Sequence, residues 1–171
     1  DKTVVYDENE HEVVITGTLP EGITVSYTNN KGTNVGVYDA VATFTGSGNY
    51  TGTASLEATL TINAKTLEDL TEEQLEELLN VEYNDKTVVY DENEHSVVIE
   101  GELPAGVTVS YKNNKGTNAG TYNGVATVVG TGNYAGEAEL TAKLTINPRE
   151  VTKDELLNEL KVAFEDKTVV Y

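Results

Sequence analysis

Apolar and polar residues alternate with period two through most of the chain, the pattern of strands that turn one face toward a core. Ala54, Leu56, Ala58, Leu60 and Ile62 are apolar at every second position, with Ser55, Glu57, Thr59 and Thr61 between them. Ile23, Val25 and Tyr27 alternate with Thr24 and Ser26, and Tyr38, Ala40, Ala42 and Phe44 alternate with Asp39, Val41, Thr43 and Thr45. Residues 4–6 and 13–15 predict two further strands. Turn chemistry falls between these runs. Leu19-Pro20-Glu21-Gly22 puts Pro second and Gly fourth, as a type I turn prefers. Asn29-Asn30-Lys31-Gly32 and Gly46-Ser47-Gly48-Asn49 supply residues that tolerate positive φ. Five or six strands punctuated in this way predict a small antiparallel sandwich or barrel-like sheet.

The pattern is written twice. Asp-Lys-Thr-Val-Val-Tyr opens at 1, again at 85, and a third time at 166. Laying 1–63 over 85–147 without a gap gives about 45 identities in 63 positions. The chain therefore divides into a β module at 1–63, a linker, short helix and second β module at 64–147, and a further linker, helix and first strand of a third repeat at 148–171. A body of about 63 residues is near the lower limit for independent stability, which favours added elements or neighbour contacts.

A helix over 72–79 is predicted between the modules. Thr71-Glu72-Glu73-Gln74 is a capping box, Leu70 and Leu75 stand at the staple positions, and Leu75, Leu78 and Leu79 share one face. Thr152-Lys153-Asp154-Glu155, with Val151 and Leu156 as the staple, repeats the device. Val81 and Tyr83, and later Val162 and Phe164, alternate into the next Asp-Lys-Thr-Val-Val-Tyr, so each helix is expected to feed the first strand of the following module. The linkers 64–70 and 148–151 differ by three residues while both flanks keep register. On this parsing the first module lacks a helix of its own, and 152–171 is a helix and strand with no module after it. Two explanations stand open: the segment is cut out of phase with its repeat, or 152–171 completes the N-terminal module of another molecule by head-to-tail strand exchange.

Composition narrows the function. Asp and Glu total 29 against 11 Lys and Arg, for a net charge of −18, and Cys, Met and Trp are absent. Disulfide and Cys-ligated metal sites are excluded, and so strong a negative charge opposes nucleic-acid binding. No apolar run approaches the ~20 residues of a membrane helix, so no membrane insertion is expected. The lack of any Met suggests a piece of a longer or processed polypeptide.

The motifs Thr3-Val4-Val5-Tyr6-Asp7, Thr18 to Tyr27, Gly36-Val37-Tyr38, Gly48-Asn49-Tyr50 and Ala58-Thr59-Leu60-Thr61-Ile62 resemble, in this order, the MBG-type (YDG-type) repeats of large bacterial surface proteins. The resemblance covers both module bodies. It implies tandem Ig-like β-sandwich modules, display on the surface of Gram-positive or other bacteria, and a stalk or adhesin role without catalysis. Glu8 and Glu92 stand where that family commonly has Gly, and the capped helix lies outside the resemblance.

Candidate chemistry is sparse. The clusters Asp7/Glu8/Glu10 and Asp91/Glu92/Glu94 offer oxygen ligands for weak Ca²⁺ binding, although their spacing fits no EF-hand and a solvated acidic turn is the commoner case. No other cofactor is expected. His11 and His95 occupy matching positions, so a shared imidazole site would need the modules to fold together. Gly46 to Gly52 leads into a strand, whereas a phosphate loop needs a helix N-terminus. Asn49-Tyr50-Thr51 is a glycosylation sequon that the second module lacks, and Lys2 and Lys86 are candidates for an intramolecular isopeptide bond. The expected function is a non-catalytic stalk, extracellular and wall-anchored through regions outside this chain, that touches neighbouring repeats and projects a distal adhesive domain. The competing expectation is a module that itself binds host glycan or mucin through loop Asn and Tyr.

Overall fold

The computed structural model describes residues 1–161, 169 and 171. The strand expected around Val162 and Phe164, and most of the third Asp-Lys-Thr-Val-Val-Tyr, lie outside the described residues.

The chain is mainly β. The first module contains β1 (Lys2–Val5), β2 (His11–Glu12), β3 (Ile23–Thr28), β4 (Lys31–Gly32), β5 (Gly36–Gly46) and β6 (Thr53–Asn63). The linker carries β7 (Lys65–Thr66) and α1 (Glu72–Leu79). The second module repeats the order as β8 (Lys86–Val89), β9 (His95–Ser96), β10 (Val107–Lys112), β11 (Lys115–Gly116), β12 (Gly120–Gly130), β13 (Tyr134–Ala135) and β14 (Glu137–Asn147), and α2 (Lys153–Leu160) follows.

Each module is built on a four-stranded sheet, β1-β6-β5-β3 and β8-β14-β12-β10, with a two-stranded ladder, β2-β4 and β9-β11, beside it. The sheets are mixed, where an antiparallel one was expected: β1 runs parallel to β6, with Lys2 opposite Leu60 and Val5 opposite Asn63. Parallel pairing needs a long crossover, and the rest of the module between β1 and β6 supplies it. Residues 13–15 also depart from expectation. The Val13 N–H bonds the Asn30 carbonyl at 2.9 Å and the Ile15 N–H bonds Tyr27 Oη at 3.1 Å, so turn and side-chain acceptors take the place of a ladder. The Pro20 turn closes one residue later than the sequence suggests: the Ile23 N–H reaches the Pro20 carbonyl at 3.1 Å, and Gly22 takes the third position at φ +88°. Positive φ at that position is the requirement of a type II turn.

α1 forms at the expected span. Thr71 Oγ1 accepts the Gln74 N–H at 3.2 Å, and Gln74 Oε1 accepts the Thr71 N–H at 3.0 Å. Asn80, at φ 52°, ends the helix in the left-handed region, and the Val81 N–H returns to the Glu76 carbonyl at 3.1 Å. The caps satisfy the ends, but eight residues are too few for a helix to persist in water alone. Docking supplies the remainder. α1 packs on β14 and buries Leu75 and Leu79, and Thr141 Oγ1 donates to Glu72 Oε1 at 2.9 Å. The segment after the helix makes a single antiparallel bridge, Glu82 to Glu100, and buries Val81 and Tyr83 on either side of it.

The cores of the two modules consequently differ. Leu67, Leu75, Leu79, Val81 and Tyr83 join Val97, Val107, Val128, Leu140, Leu144 and Ile146 in one cluster. The second module's interior is therefore shared with the linker, and each module does not simply close its own. The first module buries Ala40, Ala42, Leu60 and Ile62, and among the described residues nothing equivalent to α1 lies above them. Leu140 is 1% exposed and its counterpart Leu56 is 61% exposed.

Leu140→Ala should cost about 2–5 kcal/mol, the usual range for truncating a buried Leu, and Leu56→Ala should cost much less. Denaturant unfolding of the two variants in dilute solution checks the difference. Equal losses would mean that β6 and β14 are equally covered.

Candidate functional site

The acidic turns are built alike in both modules. Glu8 and Glu92 adopt φ of 69° and 71°, in the left-handed region where Gly is the usual occupant. Asp7 Oδ1 accepts the Asn9 N–H at 3.0 Å and faces His11 Nε2 at 2.9 Å; Asp91 meets the Asn93 N–H at 3.0 Å and His95 Nε2 at 2.8 Å. Glu10 and Glu94 pair with Lys31 at 3.0 Å and Lys115 at 3.2 Å. Most of these carboxylates thus have protein partners, and among the described residues no three or more His, Asp or Glu side chains converge to hold a metal. The backbone N–H of Asn9 holds the Asp7 carboxyl below the usual range, with the His11 ring adding to it. Asp91 is lowered first by the Asn93 backbone, then by the Asn93 side chain and His95. The contacts of Glu10 and Glu12 push Lys31 upward.

The remaining candidates are accounted for locally. Tyr27 Oη accepts from Ile15, Tyr38 Oη donates to the Asn34 carbonyl at 2.8 Å, and Tyr122 Oη donates to Asn118 at 3.0 Å. Lys2 and Lys86 point their Nζ at the backbone carbonyls of Glu12 and Ser96, at 3.3 and 3.4 Å. Gly46 to Gly52 forms the connection between β5 and β6, with Gly48 at φ 66°. Glu76, Glu77, Glu82 and Glu100 line an open cleft of about 610 Å³ beside α1. Within it Glu76 Oε1 already accepts the Tyr83 N–H at 2.8 Å and Glu82 Oε2 accepts Asn84 Nδ2 at 2.8 Å. No helix among the described residues is long and apolar enough to cross a membrane.

Two surfaces of these modules are built for contact with other protein segments. The first is the junction between them. β7 adds in parallel to β13, with Lys65 opposite Tyr134 and Thr66 opposite Ala135, and the Leu67 N–H bonds the Ala135 carbonyl at 2.8 Å. Asn133 reaches the first module: its Oδ1 accepts the Val35 N–H and its Nδ2 donates to Asn34 Oδ1, both at 2.9 Å. Tyr134 stands edge-on to Tyr6 with ring centroids 5.7 Å apart. Tyr134 is 4% exposed, whereas its counterpart Tyr50 is 46% exposed. Burial pushes the Tyr134 hydroxyl up, and the Glu8 charge adds to the effect.

The second is the face of the sheet that α1 covers in the second module. There Tyr83 lies across Gly124, where an added Cβ would stand 2.6 Å from Tyr83 Oη. That hydroxyl is buried without a hydrogen-bond partner, and burial raises its pKa. In the first module the same face is a groove of about 320 Å³ lined by Val13, Ile15, Tyr27, Ala42, Leu56 and Ala58 among others.

The sequence did not single out Asn133, Tyr134 or Lys65. Asn133-Tyr134 repeats Asn49-Tyr50, and identical letters do not tell which copy meets a neighbour. Leu67 is the one available signal, an apolar residue in the linker with no counterpart in the shorter second linker.

Asp7 and Asp91 should titrate below the ordinary Asp value of about 3.9 in carboxyl-resolved NMR. Because their folded-state values lie below the unfolded ones, their stabilising contribution is present above the ordinary range and is lost as pH falls through the lowered values. Asp7→Asn and Asp91→Asn should flatten that acid limb of the stability curve. Tyr83→Phe should leave stability unchanged or raise it, since it removes an unsatisfied buried hydroxyl; a lower melting temperature would show that the hydroxyl is bonded.

No curated protein matches the chain. Among solved structures, the I-band fragment I67–I69 of titin is similar over 86% of this chain, at 14% identity and a TM-score of 0.30. The match spans 62% of the titin fragment, and a likeness this distant carries no weight for fold or function. The family model described as the MBG domain matches residues 1–66, which is consistent with the first module being an MBG-type repeat.

Proposed function

We propose that the chain is a non-catalytic spacer segment of a bacterial cell-surface protein. On this reading it is a run of Ig-like tandem repeats, extracellular and anchored through regions outside this chain, that holds a distal adhesive domain away from the surface. It needs no resident metal or cofactor. The observation that carries the reading is the junction, where a linker strand is hydrogen-bonded into the following module and Tyr6, Asn34 and Val35 contact Tyr134 and Asn133. A spacer has to transmit orientation from one module to the next, and main-chain pairing with packed aromatic rings does so better than a free linker. The charge of −18 keeps such repeats soluble and mutually repelling, and a chain without Cys needs no oxidative folding outside the cell.

The test combines spin-label distance spectroscopy with a glycan array. The wild-type chain should give a narrow distribution of inter-module distances by spin-label spectroscopy, broadened in an Asn133→Ala/Tyr134→Ala variant, and it should leave glycans and mucins unbound. Saturable glycan binding would replace the spacer reading with direct adhesion. A wild-type distribution as broad as the variant's would remove it.

A further inference from the structure

We infer that the second module is a tension clamp: the parallel pair β8–β14 holds it closed against a pull along the chain by taking the load in shear. This deepens the spacer reading by naming the load a spacer bears, and it can fail while the spin-label and glycan-array results stand.

The chain enters β8 at Lys86 and leaves β14 at Asn147. The two strands run parallel, with Lys86 opposite Leu144 and Val89 opposite Asn147. The entry of the one and the exit of the other therefore lie at opposite ends of the shared ladder. A pull drags β8 back toward Lys86 and β14 on toward Asn147, across the hydrogen bonds, so that all of them are strained together. An antiparallel first and last strand would bring both ends out on one side, and the same pull would open the bonds one at a time. Contacts beyond the ladder lengthen the clamp. At the entry end Asp85 Oδ1 accepts the Lys143 N–H at 2.6 Å, and at the exit end the Tyr90 N–H reaches the Asn147 carbonyl at 2.8 Å. Leu144 and Ile146 of the same stretch are buried in the core, which ties the loaded strand to the interior.

The repeated Asp-Lys-Thr-Val-Val-Tyr thereby acquires a mechanical task. Its Asp side chain closes the entry end, its four middle residues form the paired strand, and its Tyr N–H closes the exit end. The first module is built the same way: Asp1 Oδ1 accepts the Thr59 N–H and the Tyr6 N–H reaches the Asn63 carbonyl, both at 2.8 Å, on either side of the parallel β1–β6 ladder. β7 and α1 stand ahead of β8 on the chain, so a pull from the first module meets them first. β7 holds β13 over two register pairs against four in the clamp, and α1 is held by packing of its short apolar face. They give way first and release at most about 70 Å of chain, and the load then falls on β8.

Single-molecule pulling along two directions tests the clamp. The chain has no Cys, so introduced pairs are its only handles. Asn84→Cys/Arg149→Cys loads β8–β14 in shear, whereas Glu92→Cys/Arg149→Cys, with both handles beyond the exit end, peels it. All three positions are exposed, so the fold should survive. The first pair should need a several-fold higher force to open the module, since forced unfolding is governed by the unfolding rate and shear must break the bonds together. Asp85→Ala should lower the force in shear and leave the peeling force unchanged, because peeling breaks the Tyr90 end first. Ala64→Cys/Arg149→Cys should show the short linker release ahead of the main step. Equal forces along the two directions would overturn the inference. So would an Asp85→Ala loss of equal size in both, or release of linker and module in a single step.

Discussion

Burial of Leu75 and Leu79 against the sheet of the second module is the contact on which the rest of the structure depends. A capped helix of eight residues does not hold itself together, and the sheet of the second module has an apolar face to cover. Each serves the other. Their union draws in Leu67 on one side and Val81 and Tyr83 on the other, so that the linker becomes part of the module that follows it. The structural repeat is thereby offset from the sequence repeat: its complete unit begins at the helix, ahead of Asp-Lys-Thr-Val-Val-Tyr.

The two modules also show how little of a residue's environment its own sequence determines. With about 45 of 63 positions identical, they place the same side chains on the same faces of the same strands. Yet Leu140 and Leu56, or Tyr134 and Tyr50, differ in exposure, because the linker, α1 and Tyr6 cover the second-module residues. Small differences follow the same division. Gly124 leaves room for the Tyr83 hydroxyl, at the position where the first module has Ala40. Glu12 and Ser96, at matching positions, both offer a carbonyl to a lysine, and Glu12 adds a carboxylate 3.3 Å from Lys31 that Ser96 lacks.

Much of this architecture was legible in the sequence. The alternation through 54–62 and 38–45 located β6 and β5, and the Thr71 to Gln74 capping box with its staple located α1, because both signals are local and repeat the geometry that produces them. The parallel course of β1 was not legible, since strand direction is set by the long connection and leaves no mark on the alternation. Residues 13–15 carry an apolar pattern but bond to Asn30 and Tyr27, a choice made by tertiary neighbours. The junction was hidden because Asn133 and Tyr134 repeat the letters Asn49-Tyr50, and identical letters do not tell which copy meets a neighbour. The acidic clusters were legible as groups, but the Asn9, Asn93, His and Lys partners that occupy most of them come from turn geometry and from β4 and β11.

Amide hydrogen exchange in dilute solution tests most directly the claim that α1 completes the module after it. Matched amides in the two modules, Ala42 against Ala126 and Leu60 against Leu144, occupy equivalent ladder positions and differ mainly in cover. The account predicts slower exchange throughout the second member of each pair, and loss of that advantage in a Leu75→Asp/Leu79→Asp variant. Equal protection in the two modules, or protection in the second that survives the variant, would contradict it.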